Sequence, residues 1–212
     1  MGKLGKGKTL SGVLEAYSSY CRGETVYSNL WLDFPHVPIK TPYDFLEIQE
    51  GFFLADEIWH LADCRKSASL LSDVITIILL RSRKRKFTVF YTQQYIQSDI
   101  RILYITDEWI KPRCFPPQPK DLRELKNYIP QVLIQSRFDA EGHKLPTKII
   151  DPRPYLNLYD TNKDPYTLSS VIDSKGLKKI LDRALNQDPK VEKEMKAIKT
   201  EAKTYARRLH NE

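Results

Sequence analysis

One short segment near the start of the chain limits the choice of fold more than any other feature: residues 2–9 read GKLGKGKT. The segment fits the pattern G-x-x-x-x-G-K-[ST], with Gly2, Gly7, Lys8 and Thr9 at the defined positions. Glycine adopts positive φ angles without steric cost, so the backbone can turn tightly and direct several N–H groups toward one anion. An apolar run follows, and a helix beginning there would present its positive end to the same anion. The pattern predicts a phosphate-binding loop ahead of a helix.

The residues of such a loop have separate tasks. Lys8 would reach the β- and γ-phosphates of a nucleotide, and Thr9 would give its hydroxyl to a magnesium ion. The predicted nucleotide-binding residues are Gly2, Gly5, Lys6, Gly7, Lys8, Thr9 and Leu10. A loop of this kind normally follows a strand, whereas only Met1 precedes Gly2 in this sequence. Either the first strand is missing, or another segment supplies it, or the glycines and lysines coincide by composition.

A second motif consists of an apolar run that ends in two acids, FFLADE at residues 52–57. This pattern is typical of a buried strand with functional residues at its carboxyl end. It also occurs where a strand simply ends at the solvent-exposed surface. The magnesium ion of a nucleotide needs a carboxylate, and the attacking water needs a base. We therefore predict that Asp56 binds the metal together with Thr9, and that Glu57 is the catalytic base.

A third run, FTVFYTQQ at residues 87–94, also reads as a core strand with a polar end. Gln93 or Gln94 could contact the γ-phosphate or its water, or could simply occupy a strand edge. The cationic stretch RSRKRK at 81–86 precedes this strand. It is either a solvated helix end or the source of an arginine for a neighbouring subunit's site, where a guanidinium stabilises developing charge well.

Strands that alternate with helices predict an α/β fold with a mostly parallel sheet flanked by helices. Residues 10–23 have helical periodicity and end at a glycine, and IRILYITDEWIK at 100–111 reads as a further strand. The region from 121 to 168 has no clear period. The predicted domains are an ATPase-like core at 1–114, a proline-punctuated continuation or accessory region at 115–168, and a basic helical tail at 169–212.

The charge balance of the chain favours an anionic partner. Thirty-four lysines and arginines against 27 acids give a net charge of +7, although a solvated lysine-rich surface explains this almost as well. The three cysteines lack metal-ligand spacing and indicate reduced thiols in an intracellular protein. The most apolar run, at 74–80, is far shorter than the roughly 20 residues that span a bilayer. We expect a soluble protein.

Taken in order, GKLGKGKTL, FFLADE and SRKRKFTVFYTQQYIQSDIRI resemble the FtsK/HerA-type P-loop ATPases. The resemblance is strongest to the genome-packaging ATPases of membrane-containing viruses and the Zot-like assembly ATPases of filamentous phages, and it covers about half of the chain. By this resemblance Gln94 senses the γ-phosphate, Arg83 reaches into a neighbouring subunit, and Asp99 with Arg101 forms the following segment. It implies ATP and Mg²⁺ as cofactors and a homo-oligomeric ring, either a hexamer or a pentamer.

The expected function is that of an ATP-hydrolysing motor that translocates or packages DNA, double-stranded or alternatively single-stranded. It would work in the cytoplasm of the host cell or in association with the virion. One alternative is a Zot-like ATPase for virion extrusion, with a virion, portal or membrane protein as its partner, although no membrane segment follows here as it does in those proteins. The other is a non-enzymatic basic nucleic-acid-binding protein in which residues 2–9 form a cationic arm.

Overall fold

The computed structural model describes residues 6–40, 44–57, 73, 76–77, 79–82, 85–93, 100–119, 128–160, 174–187, 190, 193–198 and 200–201. Within these ranges the chain forms a four-stranded parallel sheet flanked by helices and a separate three-stranded antiparallel sheet. The mixed α/β architecture with a parallel sheet is therefore confirmed.

The parallel sheet is built around its third strand in sequence. Its order is β2 (Val37–Pro38), β1 (Val26–Ser28), β3 (Gly51–Ala55) and β4 (Phe87–Tyr91). Strand β3 pairs on both edges, and its residues from Phe52 onward are buried, as an apolar strand covered on both faces requires.

Two layers of apolar side chains enclose this sheet. Helix α1 (Lys8–Cys21) covers one face, where Val13 and Ala16 pack in the same cluster as Leu54. The opposite face holds a second cluster that includes Phe53. Its buried members also include Ile48, Ile77, Ile102 and Met195, and the last three lie in helical segments. The predicted helix at 10–23 is thus confirmed, and it ends just before Gly23, whose φ angle is 81°.

Strand β4 lies at one end of the parallel sheet. The N–H of Thr92 donates to the carbonyl of Ala55 on β3 at 3.0 Å. Since main-chain groups alternate in direction along a strand, those of Phe87, Val89 and Tyr91 point to the outer edge. Across the described ranges no strand pairs with that edge. A cleft of about 1050 Å³ adjoins β4 and is also lined by parts of α1 and of the antiparallel sheet.

The antiparallel sheet consists of β5 (Glu108–Phe115), β6 (Val132–Asp139) and β7 (Lys144–Ile150) in that order. One of its faces packs on α1, where Leu133 joins an apolar cluster with Leu10 and Leu14. A six-residue 3₁₀ helix at Arg153–Leu158 follows. Strands β6 and β7 lie in the region 121–168, for which the sequence showed no clear period and predicted no strand positions.

The remaining predictions have mixed outcomes. The strand predicted at 100–111 is wrong in its first half, because Ile100–Tyr104 forms helix α3 and β5 begins only at Glu108. A short helix, α2 (Asp44–Glu47), precedes β3. The helical tail is confirmed at α4 (Ser174–Gln187), and the described residues from 190 to 201 are also helical.

This tail contributes to the core and does not simply protrude, since Met195 and Ile198 are buried. The division at residue 114 stays a prediction, and β5 continues through it to Phe115. None of the described helices has the length and apolarity needed to cross a membrane.

Candidate functional site

The start of α1 carries the predicted phosphate-binding residues. Gly7 precedes the helix in a left-handed conformation with φ 82°, and its carbonyl accepts the first helical bond from the Ser11 N–H at 2.8 Å. A Cβ atom at Gly7 would lie 2.6 Å from Cys114 Sγ and 3.1 Å from Leu133 Cδ1. Two separate features therefore require glycine at this position: the positive φ angle and the close approach of the antiparallel sheet. Gly2 and Gly5 lie outside the described residues.

The fold brings the two predicted metal ligands together. Thr9 Oγ1 donates to the carboxylate of Asp56, at 3.1 Å from Oδ1 and 3.3 Å from Oδ2. Thr9 belongs to the first turn of α1, and Asp56 directly follows β3. The contact thus joins the two motifs across 47 residues of sequence.

Three neighbouring parallel strands end at this site. Asn29 follows β1 and holds the main chain of Asp56 from both sides: its Nδ2 donates to the Asp56 carbonyl at 2.9 Å, and its Oδ1 accepts from the Asp56 N–H at 2.7 Å. Thr92 follows β4, and its hydroxyl donates to Asp56 Oδ1 at 2.7 Å while accepting the N–H of Glu57 at 2.9 Å. The orientation of both acids is therefore fixed by side chains from the adjacent strands.

The electrostatics of the site depend on burial and on mutual charge. Burial raises the pKa of Asp56, and the hydrogen bonds from Thr92 and Thr9 oppose that rise because they favour the carboxylate. Burial likewise lowers the pKa of Lys8, against the attraction of Asp56 and Glu57. One ammonium and two carboxyl groups thus share a poorly hydrated corner, where an incoming charged group would be felt strongly.

The donor set suits a hard divalent cation. Two adjacent ligands of an octahedral magnesium ion, at about 2.1 Å each, are separated by about 3 Å. The oxygens of Thr9 and Asp56 already have this separation, at 3.1 Å. Hydroxyl and carboxylate oxygens are also the ligand types that magnesium prefers. Thr9 and Asp56 therefore fit the predicted ion.

Glu57 has an unusual backbone for a residue with a side chain. Its φ angle is 50°, in the left-handed region, and its side chain is half-buried. Non-glycine residues in this region often occupy functional sites, where the surrounding structure holds them in place. Here the hydrogen bond from the Glu57 N–H to Thr92 helps to hold that conformation.

Some predicted residues lie elsewhere or outside the described part of the chain. Gln93 is buried, with 3% exposure, and lines the cleft along β4 together with Lys8. Leu10 is buried in the α1 cluster, and Lys6 is exposed. Arg83, Gln94 and Asp99 lie outside the described residues, so their assigned roles stay predictions.

The cations around β4 are partly structural. Arg81 is buried, and Arg85 Nη1 donates to the carbonyl of Ile48 at 2.8 Å. Arg101 is also buried and forms an ion pair with Asp73. Because Arg81 and Arg101 are both buried, they are poorly placed to meet a partner.

Sequence reasoning missed two parts of the site. Asn29 follows a three-residue strand and belongs to no motif, so no local signal marks it. Tyr159 lies near the acids, and burial, followed by the charges of Asp56 and Cys114, raises its pKa to about 12. Thr92, by contrast, precedes the two predicted glutamines and had a detectable signal as the first polar residue after an apolar strand.

The site thus belongs to an α/β protein in which a Gly-Lys-Thr helix start faces the carboxyl ends of three parallel strands. No protein-family model, curated protein or solved structure matches the chain.

Proposed function

We propose that this chain is an ATPase that binds Mg²⁺–ATP at the start of α1 and uses hydrolysis to translocate or package DNA. The observation that carries the proposal is the contact between Thr9 and Asp56 at 3.1 Å, with Lys8 beside it. Two segments that are distant in sequence meet where a magnesium-bound triphosphate needs a cation, a hydroxyl and a carboxylate.

Each residue has a task that follows from its surroundings. Lys8 is partly desolvated, so its charge would act strongly on the β- and γ-phosphates. Asp56 and Thr9 would hold the magnesium ion, which when bound neutralises charge on the phosphates. Glu57, held by Thr92, would orient the attacking water and accept its proton.

The motor part of the proposal is supported by the resemblance to FtsK/HerA-type ATPases and by the net charge of +7, which suits a polyanion. In a homo-oligomeric ring, a hexamer or a pentamer, Arg83 would act on the neighbouring site and Gln94 would sense the γ-phosphate. DNA contacts would then lack sequence preference and weaken steeply with salt.

Magnesium-dependent ATP hydrolysis, measured with and without double-stranded DNA, tests the proposal. Glu57→Gln should lower turnover by about 10²- to 10⁴-fold while retaining binding of a fluorescent ATP analogue, because only the proton acceptor is lost. Lys8→Ala should lose both binding and turnover. Lys178→Ala is the control, since Lys178 is an exposed cation on α4, outside the predicted site. Equal effects at Lys178 and Lys8 would refute the assigned site.

The same proteins distinguish the alternatives. A non-enzymatic nucleic-acid-binding protein would show no ATP hydrolysis, and Lys3→Ala would weaken DNA binding as much as Lys8→Ala. A Zot-like extrusion ATPase would hydrolyse ATP without stimulation by DNA and would co-purify with a membrane protein. DNA-stimulated hydrolysis that is lost in Glu57→Gln supports the motor over both.

A further inference from the structure

The antiparallel sheet has two chemically different faces. Its inner face packs on α1: Leu133 is buried there, Gln135 Nε2 donates to Ser11 Oγ at 2.7 Å, and Lys148 pairs with Glu15 at 2.7 Å. Residues alternate between faces along β5 and β6, so the register of these two strands assigns the others. Strand β7 has a bulge in its pairing with β6, and beyond it Lys144 pairs with Phe138 and shares its face. The opposite side, called here the outer face, consists of Trp109, Lys111, Arg113, Phe115, Val132, Ile134, Ser136, Phe138, Lys144, Thr147 and Ile149.

The outer face carries positive charge and no acid. All three strands lie within the described ranges, and Lys111, Arg113 and Lys144 on this face are exposed. The two carboxylates of these strands, Glu108 and Asp139, take inner positions by the same alternation. Glu108 bonds Arg137 Nη2 at 2.7 Å. The outer face of the three strands therefore carries cations alone, which favours an anionic partner.

Large apolar side chains stand beside these cations. Phe115 is 61% exposed and Ile149 is 72% exposed, the two highest values among the large hydrophobic residues that the structure describes. Lys111 Nζ lies 4.8 Å from the centroid of the Phe138 ring, a cation–π contact that orients the lysine across the sheet. Exposed apolar groups on one contiguous surface mark an interaction site, since leaving them in water is unfavourable.

The combination of charges and rings selects the chemistry of the partner. Lys111 and Arg113 are about 7 Å apart along β5 and can contact successive anionic groups. The exposed ring of Phe115, close to Arg113, provides a stacking surface for a planar base. A duplex hides the faces of its bases, whereas a single strand offers them. An acidic peptide would use the cations but would leave the exposed ring without a specific role.

We propose that the outer face of the antiparallel sheet binds single-stranded nucleic acid, with the three cations on phosphates and Phe115 beneath an unstacked base. The inference deepens the proposed function and rests on it in taking a nucleic acid as the partner. It requires no nucleotide hydrolysis. It also places the contact with nucleic acid on a surface other than the two basic segments of the chain, the cationic run at 81–86 and the C-terminal tail.

Fluorescence anisotropy with a labelled oligothymidine of about 20 nucleotides tests this assignment, without ATP or magnesium. The double variant Lys111→Glu/Arg113→Glu should weaken binding and should reduce the slope of log affinity against log salt by about 1.4, which is two phosphates at about 0.7 each. The matched control is Lys178→Glu/Lys179→Glu on α4, because both lysines are exposed and the change in net charge is the same. Control binding should stay close to that of wild type.

Phe115→Ala tests the stacking contribution separately. Because Phe115 is mostly exposed, the variant should keep the wild-type melting temperature while losing about five- to a hundredfold in affinity for the oligothymidine. A duplex of equal length should bind more weakly and should be insensitive to this substitution.

Three results would overturn the assignment. Equal losses in the two double variants would mean that net charge alone acts. Unchanged affinity in Phe115→Ala, with equal binding of duplex, would mean a backbone-only contact. Binding to vesicles containing anionic lipid, without binding to oligothymidine, would make the outer face a membrane surface. Because no nucleotide is present, failure of ATP hydrolysis and failure of this surface are separate outcomes.

Discussion

Removal of the Asn29 side chain offers the sharpest test of how the site is assembled. In Asn29→Ala both hydrogen bonds to the Asp56 main chain are lost, the one from Nδ2 at 2.9 Å and the one to Oδ1 at 2.7 Å. Asn29 and Asp56 are 2% and 6% exposed, so water cannot easily replace the lost partners. The N–H and C=O groups of Asp56 would then remain buried without those bonds.

The expected cost follows from the two bonds. A typical intramolecular hydrogen bond contributes about 1 kcal/mol, and leaving a buried polar group unsatisfied costs about 1–3 kcal/mol. With partial relaxation of the Asp56 turn, we expect Asn29→Ala to lower the free energy of unfolding by about 3 kcal/mol. For a chain of this size the melting temperature should fall by about 6–12 °C, at 2–4 °C per kcal/mol.

Urea denaturation of Asn29→Ala and of the control Asn157→Ala measures this cost. Asn157 is exposed on the 3₁₀ helix, and its removal should change stability by less than about 0.5 kcal/mol. If the two variants unfold at the same urea concentration with equal slopes, Asn29 does not hold Asp56 in the way described. The magnesium affinity of the folded variant should also drop, because the carboxylate loses its fixed orientation.

Three further outcomes are expected. Asp56→Asn should stabilise the protein at pH 7 but not near pH 3. Burial raises the pKa of Asp56 above its ordinary 3.8, so the folded state binds more protons and wild-type stability falls as the pH rises through the raised pKa. Thermal melts in which the two proteins differ by the same amount at every pH would contradict this. In urea titrations Gly23→Ala should lower the free energy of unfolding by about 1 kcal/mol, because only its φ of 81° is unfavourable for alanine. Gly51→Ala should lower it by about 4 kcal/mol, because a Cβ there would lie 2.1 Å from the carbonyl oxygen of Thr25. Equal losses in the two variants would exclude the clash. Mg²⁺–ATP at a hundred times its Kd should raise the free energy of unfolding by about 2.7 kcal/mol. Scanning fluorimetry, with EDTA as the control, should show that Thr9→Ala loses the part of this stabilisation that depends on magnesium.

The elements that sequence could predict are those with strong local signals. Helix α1 combines helical periodicity with a glycine at each end, and β3 is a short apolar run between turn residues. The contact between Thr9 and Asp56 was predictable because each of the two motifs predicts a ligand for the same magnesium ion. Their 3.1 Å contact agrees with that demand, although the ion itself stays a prediction.

Other parts could not be predicted, for physical reasons. Ile100–Tyr104 is rich in β-branched and aromatic residues, and a run this short has the same composition in a buried helix as in a strand. Strands β6 and β7 face α1 on one side and solvent on the other, but a bulge between Gln135 and Arg137 shifts the alternation. Asn29 acts only through tertiary contacts, which no single-sequence pattern records.

The edge of β4 with which no described strand pairs has a consequence for handling the protein. An edge strand rich in aromatic and β-branched residues, with main-chain groups of Phe87, Val89 and Tyr91 directed outward, is a template for pairing with another chain. Self-association through this edge would bury surface, would grow with concentration and would raise the apparent melting temperature by mass action. Stabilities of variants are therefore comparable only at one stated protein concentration.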